Sequence, residues 1–122
     1  MSKYVKVHFK GNWADEMDIE GFSVVEKELF ETLYKNVSKI KGPIEVYYGT
    51  NESSEYRNIN QYLKQFIVSD VSDEIAEILI KEVGNIGYNI MDELKAILEY
   101  EYENFTDENE SDISYEDWLK TL

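Results

Sequence analysis

The residue types that move protons, hold metals or attack substrates are sparse in this chain, with one histidine, His8, and no cysteine. Lys6 and Lys10 flank His8 on what should be the polar side of a strand, so an ordinary exposed imidazole is expected and a Ser–His nucleophile pair has little support. Zinc would have to rely on carboxylates with at most one imidazole, an unusual ligand set, and is rejected. Asp107, Asn109 and Ser111 stand at the first, third and fifth positions of a calcium loop. Asp112, however, replaces the glycine of its tight turn, and Trp118 replaces its bidentate glutamate. Acid–base pairs of carboxylates abound, but glycosidase-type chemistry needs a defined separation across a cleft, which abundance does not supply. The six glycines are scattered, and Gly84 and Gly87 complete neither a phosphate loop nor a dinucleotide fingerprint. No enzyme, cofactor or metal is expected.

The chemistry that remains is that of contact. Between Glu99 and Asp117 nine residues are acidic (Glu99, Glu101, Glu103, Asp107, Glu108, Glu110, Asp112, Glu116 and Asp117) and none is basic, with Tyr100, Tyr102, Phe105 and Tyr115 among them. Tyrosine offers a rigid ring and a hydroxyl at low entropic cost and is favoured where proteins meet. The expected partner-binding residues are therefore Glu99, Tyr100, Glu101, Tyr102, Glu103, Asp107, Glu108 and Glu110, with Trp13 on the loop of an early hairpin. A solvated, solubilising face is the plainer reading of the same run.

The elements that must position these residues follow from periodicity. Val5, Val7 and Phe9 alternate with Tyr4, Lys6 and His8, the period of a half-buried strand. Gly11-Asn12 is read as a turn, after which Met17, Ile19 and Gly21 fold back in a hairpin whose loop displays Trp13, Asp15 and Glu16. Ser23-Val24-Val25-Glu26 has capping-box spacing and predicts a helix through Val25, Leu29, Phe30, Leu33, Val37 and Ile40, stopped by Gly42-Pro43. Ile44, Val46 and Tyr48 suggest a third strand. Residues 55–71 read either as strand, short helix opened by Asn58 or Asn60, and strand, or as one helical face. Ser72 caps a helix with the stripe Ile75, Ile78, Leu79 and Val83. Asn89 caps another, through Ile90, Leu94, Ile97 and Leu98 to about Phe105. Thr106 to Asp112 reads as an acidic loop or linker, and Ser114 as the cap of a last short helix anchored by Trp118.

These elements predict one small α+β domain over residues 1–105, an antiparallel sheet with an N-terminal hairpin packed against about three helices. An acidic C-terminal segment with a short helix covers 106–122. The formal charge of −14 is uneven, since residues 62–122 carry −12 of it. Such a field repels phosphate backbones and anionic lipids, so neither nucleic acid nor membrane is an expected direct partner, and a basic protein is. The absence of cysteine suits a reducing cytosol. The alternating amino terminus does not resemble a secretory signal, and a soluble, cytoplasmic protein is expected.

Size, charge and the cysteine-free composition together resemble the phage and mobile-element inhibitors known as anti-CRISPR and antirestriction proteins. That resemblance implies a host-cell cytoplasmic inhibitor whose carboxylates imitate phosphates and occupy the basic, nucleic-acid-binding groove of a nuclease or its complex. No family residue carries across. Two other readings use the same features. One is an immunity or antitoxin protein that neutralises a cognate toxin through a narrow hot spot. The other is a homo-oligomeric structural protein with Trp13 or Trp118 in a symmetric interface.

Overall fold

The computed structural model describes residues 3–13, 17–40, 43–46 and 55–122. Two ten-residue strands, β1 (Tyr4–Trp13) and β2 (Met17–Glu26), form an antiparallel hairpin in register from Tyr4 opposite Glu26 to Trp13 opposite Met17. The expected turn at Gly11-Asn12 is not there, because β1 runs through both residues. Gly11 is needed for packing: a Cβ on it would stand 2.7 Å from Cε1 of the Phe9 ring. The expected loop positions Asp15 and Glu16 lie outside the described residues.

The capping box at Ser23 is also overturned. Val24 and Val25 are β-branched and fit the pleat, where they pair with Lys6 and Val5. Ser23 is buried opposite Val7 instead of capping a helix. Helix α1 (Lys27–Ser38) starts only after Glu26, whose side chain makes no capping hydrogen bond. Val25 therefore belongs to the sheet and Leu29 is 43% exposed, while Phe30, Leu33, Val37 and Ile40 are buried as expected.

Strand β3 (Ile44–Val46) pairs with β4 (Glu55–Arg57) in a separate two-stranded sheet, and Tyr47 and Tyr48 lie outside the described residues. Of the two readings of residues 55–71, strand–helix–strand is the one found. Asn58 caps the short α2 (Ile59–Leu63), and β5 (Phe66–Asp70) adds to the free side of β1. Helix α3 (Asp73–Glu82) is capped by Ser72, whose hydroxyl accepts from Ile75 N at 3.3 Å. The three-residue β6 (Asn85–Gly87) then joins β2, making a four-stranded antiparallel sheet in the order β5-β1-β2-β6. Gly84 and Gly87 hold φ values of +67° and +69°, the left-handed region that glycine enters without penalty. Two further helices follow, α4 (Ile90–Asn109) and α5 (Tyr115–Lys120), so the α+β class holds with five helices among the described residues.

The core forms on one face of the sheet. Val5, Val7 and Phe9 meet Phe30, Leu33 and Val37 of α1 and Ile90, Leu94, Ile97 and Leu98 of α4. Phe9 is stacked on Tyr88 at 4.4 Å between centroids and meets Phe66 edge-on at 5.0 Å. The hydroxyls of Tyr62 and Tyr88 share a hydrogen bond at 2.8 Å, so each of these two polar tips finds a partner as it enters the core. A smaller cluster lies on the opposite face, where Ala76 of α3 covers Val24 and Val71.

A candidate acidic binding face on α4

Helix α4 carries the acidic run from Glu99 to Glu108, and the core decides which way each carboxylate points. Asn89 caps α4 by accepting from Asp92 N at 3.2 Å, and Ile90, Leu94, Ile97 and Leu98 fix its first half against the sheet and α1. From that anchored side, Glu99, Glu103 and Asp107 recur every four residues on an outward ridge, one carboxylate per ~6 Å of helix axis. All three are exposed, and none forms an ion pair among the described residues.

Helix stability does not favour this ridge. Like charges four residues apart destabilise a helix by ~0.2–0.5 kcal/mol per pair. The last turn of α4 carries no basic residue to complement the dipole, while Asp107 and Glu108 place negative charge at its negative end. Glu110 ends the helix in the left-handed conformation, φ 47° and ψ 44°, and its N–H donates to Thr106 O. Glycine is the usual occupant of that position, and a side chain there costs about 1–2 kcal/mol. Residues 106–109, expected as a loop, are thus the last turn of α4, and the boundary expected at residue 105 falls inside the helix.

The inward carboxylates form a different environment. Glu101 and Glu108, with Tyr100, Asn104 and Phe105, line an open groove of about 480 Å3 between α4, the end of α1 and the end of α5. Lys39, Ile40, Pro43, Trp118, Thr121 and Leu122 form its other walls. Tyr100 and Glu101 already have interactions within the molecule. Phe105, 37% exposed, puts an aromatic surface beside two carboxylates and one ammonium.

Tyr102 and Tyr115 serve the fold. Tyr102 donates its hydroxyl to Ile113 O at 2.6 Å and meets Tyr115 edge-on at 5.3 Å and Trp118 at 5.7 Å. Trp118, 5% exposed, ties α5 to the main core, and Ser114 caps α5 by accepting from Asp117 N at 3.2 Å. Burial, together with the nearby negative charge of Glu99, raises the Tyr115 hydroxyl above the ordinary tyrosine pKa of 10.0. Trp118 is therefore an internal anchor and not available to a symmetric interface. Trp13 is placed at the end of β1, across the hairpin from Met17.

The expected binding residues thus divide into an outward ridge of Glu99, Glu103, Asp107 and Glu110, a groove with Tyr100, Glu101 and Glu108, and a structural Tyr102. Sequence reasoning missed Lys39, Phe105 and Leu122 as groove walls, since only the docking of α1 and α5 on α4 brings them together. His8, expected exposed, is partly covered and bonded through Nε2 to Glu20 Oε1 at 2.6 Å, across β1 and β2. Asp107, Asn109 and Ser111 do not converge: Asn109 Nδ2 donates to Phe105 O at 2.8 Å, and Ser111 Oγ accepts from Ile113 N at 3.2 Å. Among the described residues no three His, Asp or Glu side chains gather as metal ligands, and no helix is long and apolar enough to cross a membrane. Compared with known protein families, curated proteins and solved structures, the chain matches none, which leaves the fold and this geometry to support a functional reading.

Proposed function

We propose that the chain is a binding inhibitor whose α4 ridge and adjoining groove engage a basic protein, a nucleic-acid-processing enzyme whose cationic surface they cover. The observation that carries the reading is the unneutralised ridge of Glu99, Glu103 and Asp107, followed by Glu110 in a backbone conformation that favours glycine. Each of these choices works against the helix. A cationic partner relieves the repulsion, so the free energy the helix forgoes returns as binding. Arginine suits the groove, where its guanidinium would stack on Phe105 while its donors face Glu108.

The ridge offers one charge per ~6 Å, against one phosphate per ~3.4 Å on each strand of a duplex. Such spacing supports neutralisation of a basic patch more than a literal copy of DNA. An anti-defence inhibitor of the anti-CRISPR type and an immunity protein facing a basic toxin both fit this chemistry.

Capture experiments test it. The immobilised chain and a variant carrying Glu99→Gln, Glu103→Gln, Asp107→Asn and Glu110→Gln are exposed to the same mixture of basic nucleases and their complexes. The proposal expects the native chain to retain one of them and inhibit its nucleic-acid binding, and the variant to lose both effects. Equal retention and inhibition by the two forms would overturn it.

A further inference from the structure

Helix α3 lies on the sheet face opposite α4, and Ala76 is its one buried residue. Leu79, like Tyr4 and Phe22, packs against the cluster of Val24, Val71 and Ala76, while Ile75 and Ile78, one turn apart, remain 54% and 61% exposed. The Ser72 cap holds the first turn of the helix, so this stripe belongs to an ordered element.

At 100° per residue, Glu74 and Lys81 fall on the same flank of the Ile75–Ile78 stripe, ~10 Å apart along the axis and beyond reach of each other. Neither forms an ion pair among the described residues. When two copies of one helix pack antiparallel about a two-fold axis, each flank faces its own counterpart running the other way. Glu74 then meets Lys81 of the second copy, and Lys81 meets its Glu74. Two reciprocal ion pairs bracket four isoleucines.

We propose that α3 is the interface of a homodimer of this chain, formed antiparallel across the Ile75–Ile78 stripe. The charge pattern selects this occupant: a parallel two-fold arrangement would set the Glu74 and Lys81 flank against the opposite flank of the second copy, where Ser72, Leu79 and Val83 carry no charge to pair with either, and a uniformly basic partner would meet Lys81 on the same flank. Because α3 and α4 lie on opposite sheet faces, the dimer carries two acidic ridges on its outer sides, free of the interface. The inference stands independently of what those ridges bind.

Sedimentation equilibrium of the full chain tests it at ~0.15 M salt, where repulsion between the two acidic bodies is screened beyond about 8 Å. A monomer–dimer equilibrium is expected. Ile78→Glu should weaken it at least tenfold while circular dichroism stays unchanged, since the side chain is exposed. Glu74→Lys alone and Lys81→Glu alone should each weaken the dimer severalfold, and the double exchange should recover it, because reciprocal pairing is restored with the signs reversed. A chain that stays monomeric at millimolar concentration, a dimer indifferent to Ile78→Glu, or a double exchange no tighter than the single ones would overturn the proposal.

Discussion

Glu110 and Tyr115 show at the level of single residues how the carboxyl-terminal segment is held. A non-glycine residue at φ 47° is strained, so Glu110→Gly should raise stability by about 1 kcal/mol in chemical denaturation. An unchanged or lower midpoint would mean that the Glu110 side chain repays its own strain. The raised Tyr115 pKa has a definite sign. Its folded form holds its proton at pH values where the unfolded chain has lost it, so this stabilisation is complete below pH 10.0 and is lost as pH rises through the folded pKa. Denaturation of Tyr115→Phe and the native chain, compared from pH 8 to 11 (about one unit above the ordinary tyrosine value), should show the steeper alkaline loss in the native protein. Parallel curves would mean that Tyr115 contributes nothing to the slope. Tyr102→Phe removes the hydrogen bond to Ile113 O and should cost about 1 kcal/mol, with α5 amides exchanging faster than those of α1.

At the scale of elements, the sequence was legible where periodicity and capping agreed. Ser72, Asn89 and Ser114 each begin a helix, and Val5, Val7 and Phe9 each face the core. It misled where local chemistry was overridden by pairing. Ser23-x-x-Glu26 has a cap's spacing, but ten consecutive register partners on β1 keep it extended. The turn residues Gly11-Asn12 continue a strand because they pair with Ile19 and Asp18 of β2, and the glycine leaves room for the Phe9 ring. The end of α4 was hidden because acidic polar residues read as a loop, although glutamate is a good helix former. In the site, the charges were legible and their partition was not, since whether Glu101 lines a groove and Glu103 a ridge depends on where α1 and α5 dock. The same distinction separates the isoleucines of two helices. Ile97→Ala in α4, where the side chain is 3% exposed, should cost about 2–5 kcal/mol. Ile75→Ala in α3, measured on dilute chain, should stay within about 0.5 kcal/mol. Similar losses at both positions would mean that the monomer itself buries the outer stripe of α3.

The whole molecule is an electrostatic object built on an ordinary α+β core, with most of its −14 charge in the half that contains α4 and α5. Its field repels a phosphate backbone before contact, so no gel shift of duplex DNA is expected at moderate salt; tight, sequence-independent binding without added metal would contradict that. Toward a basic partner the same field accelerates encounter and hardly affects escape, because long-range attraction acts before docking while short-range contacts govern release. The most direct measurement is the association rate constant of the native chain and of the Glu99→Gln, Glu103→Gln, Asp107→Asn, Glu110→Gln variant with the captured partner, followed by surface plasmon resonance across a series of salt concentrations. The account predicts that neutralisation slows association about tenfold or more at low salt and flattens its salt dependence, with dissociation changed less and thermal stability equal or slightly higher. Equal association rates for the two proteins at every salt concentration would contradict it and leave the acidic ridge as a solvated surface.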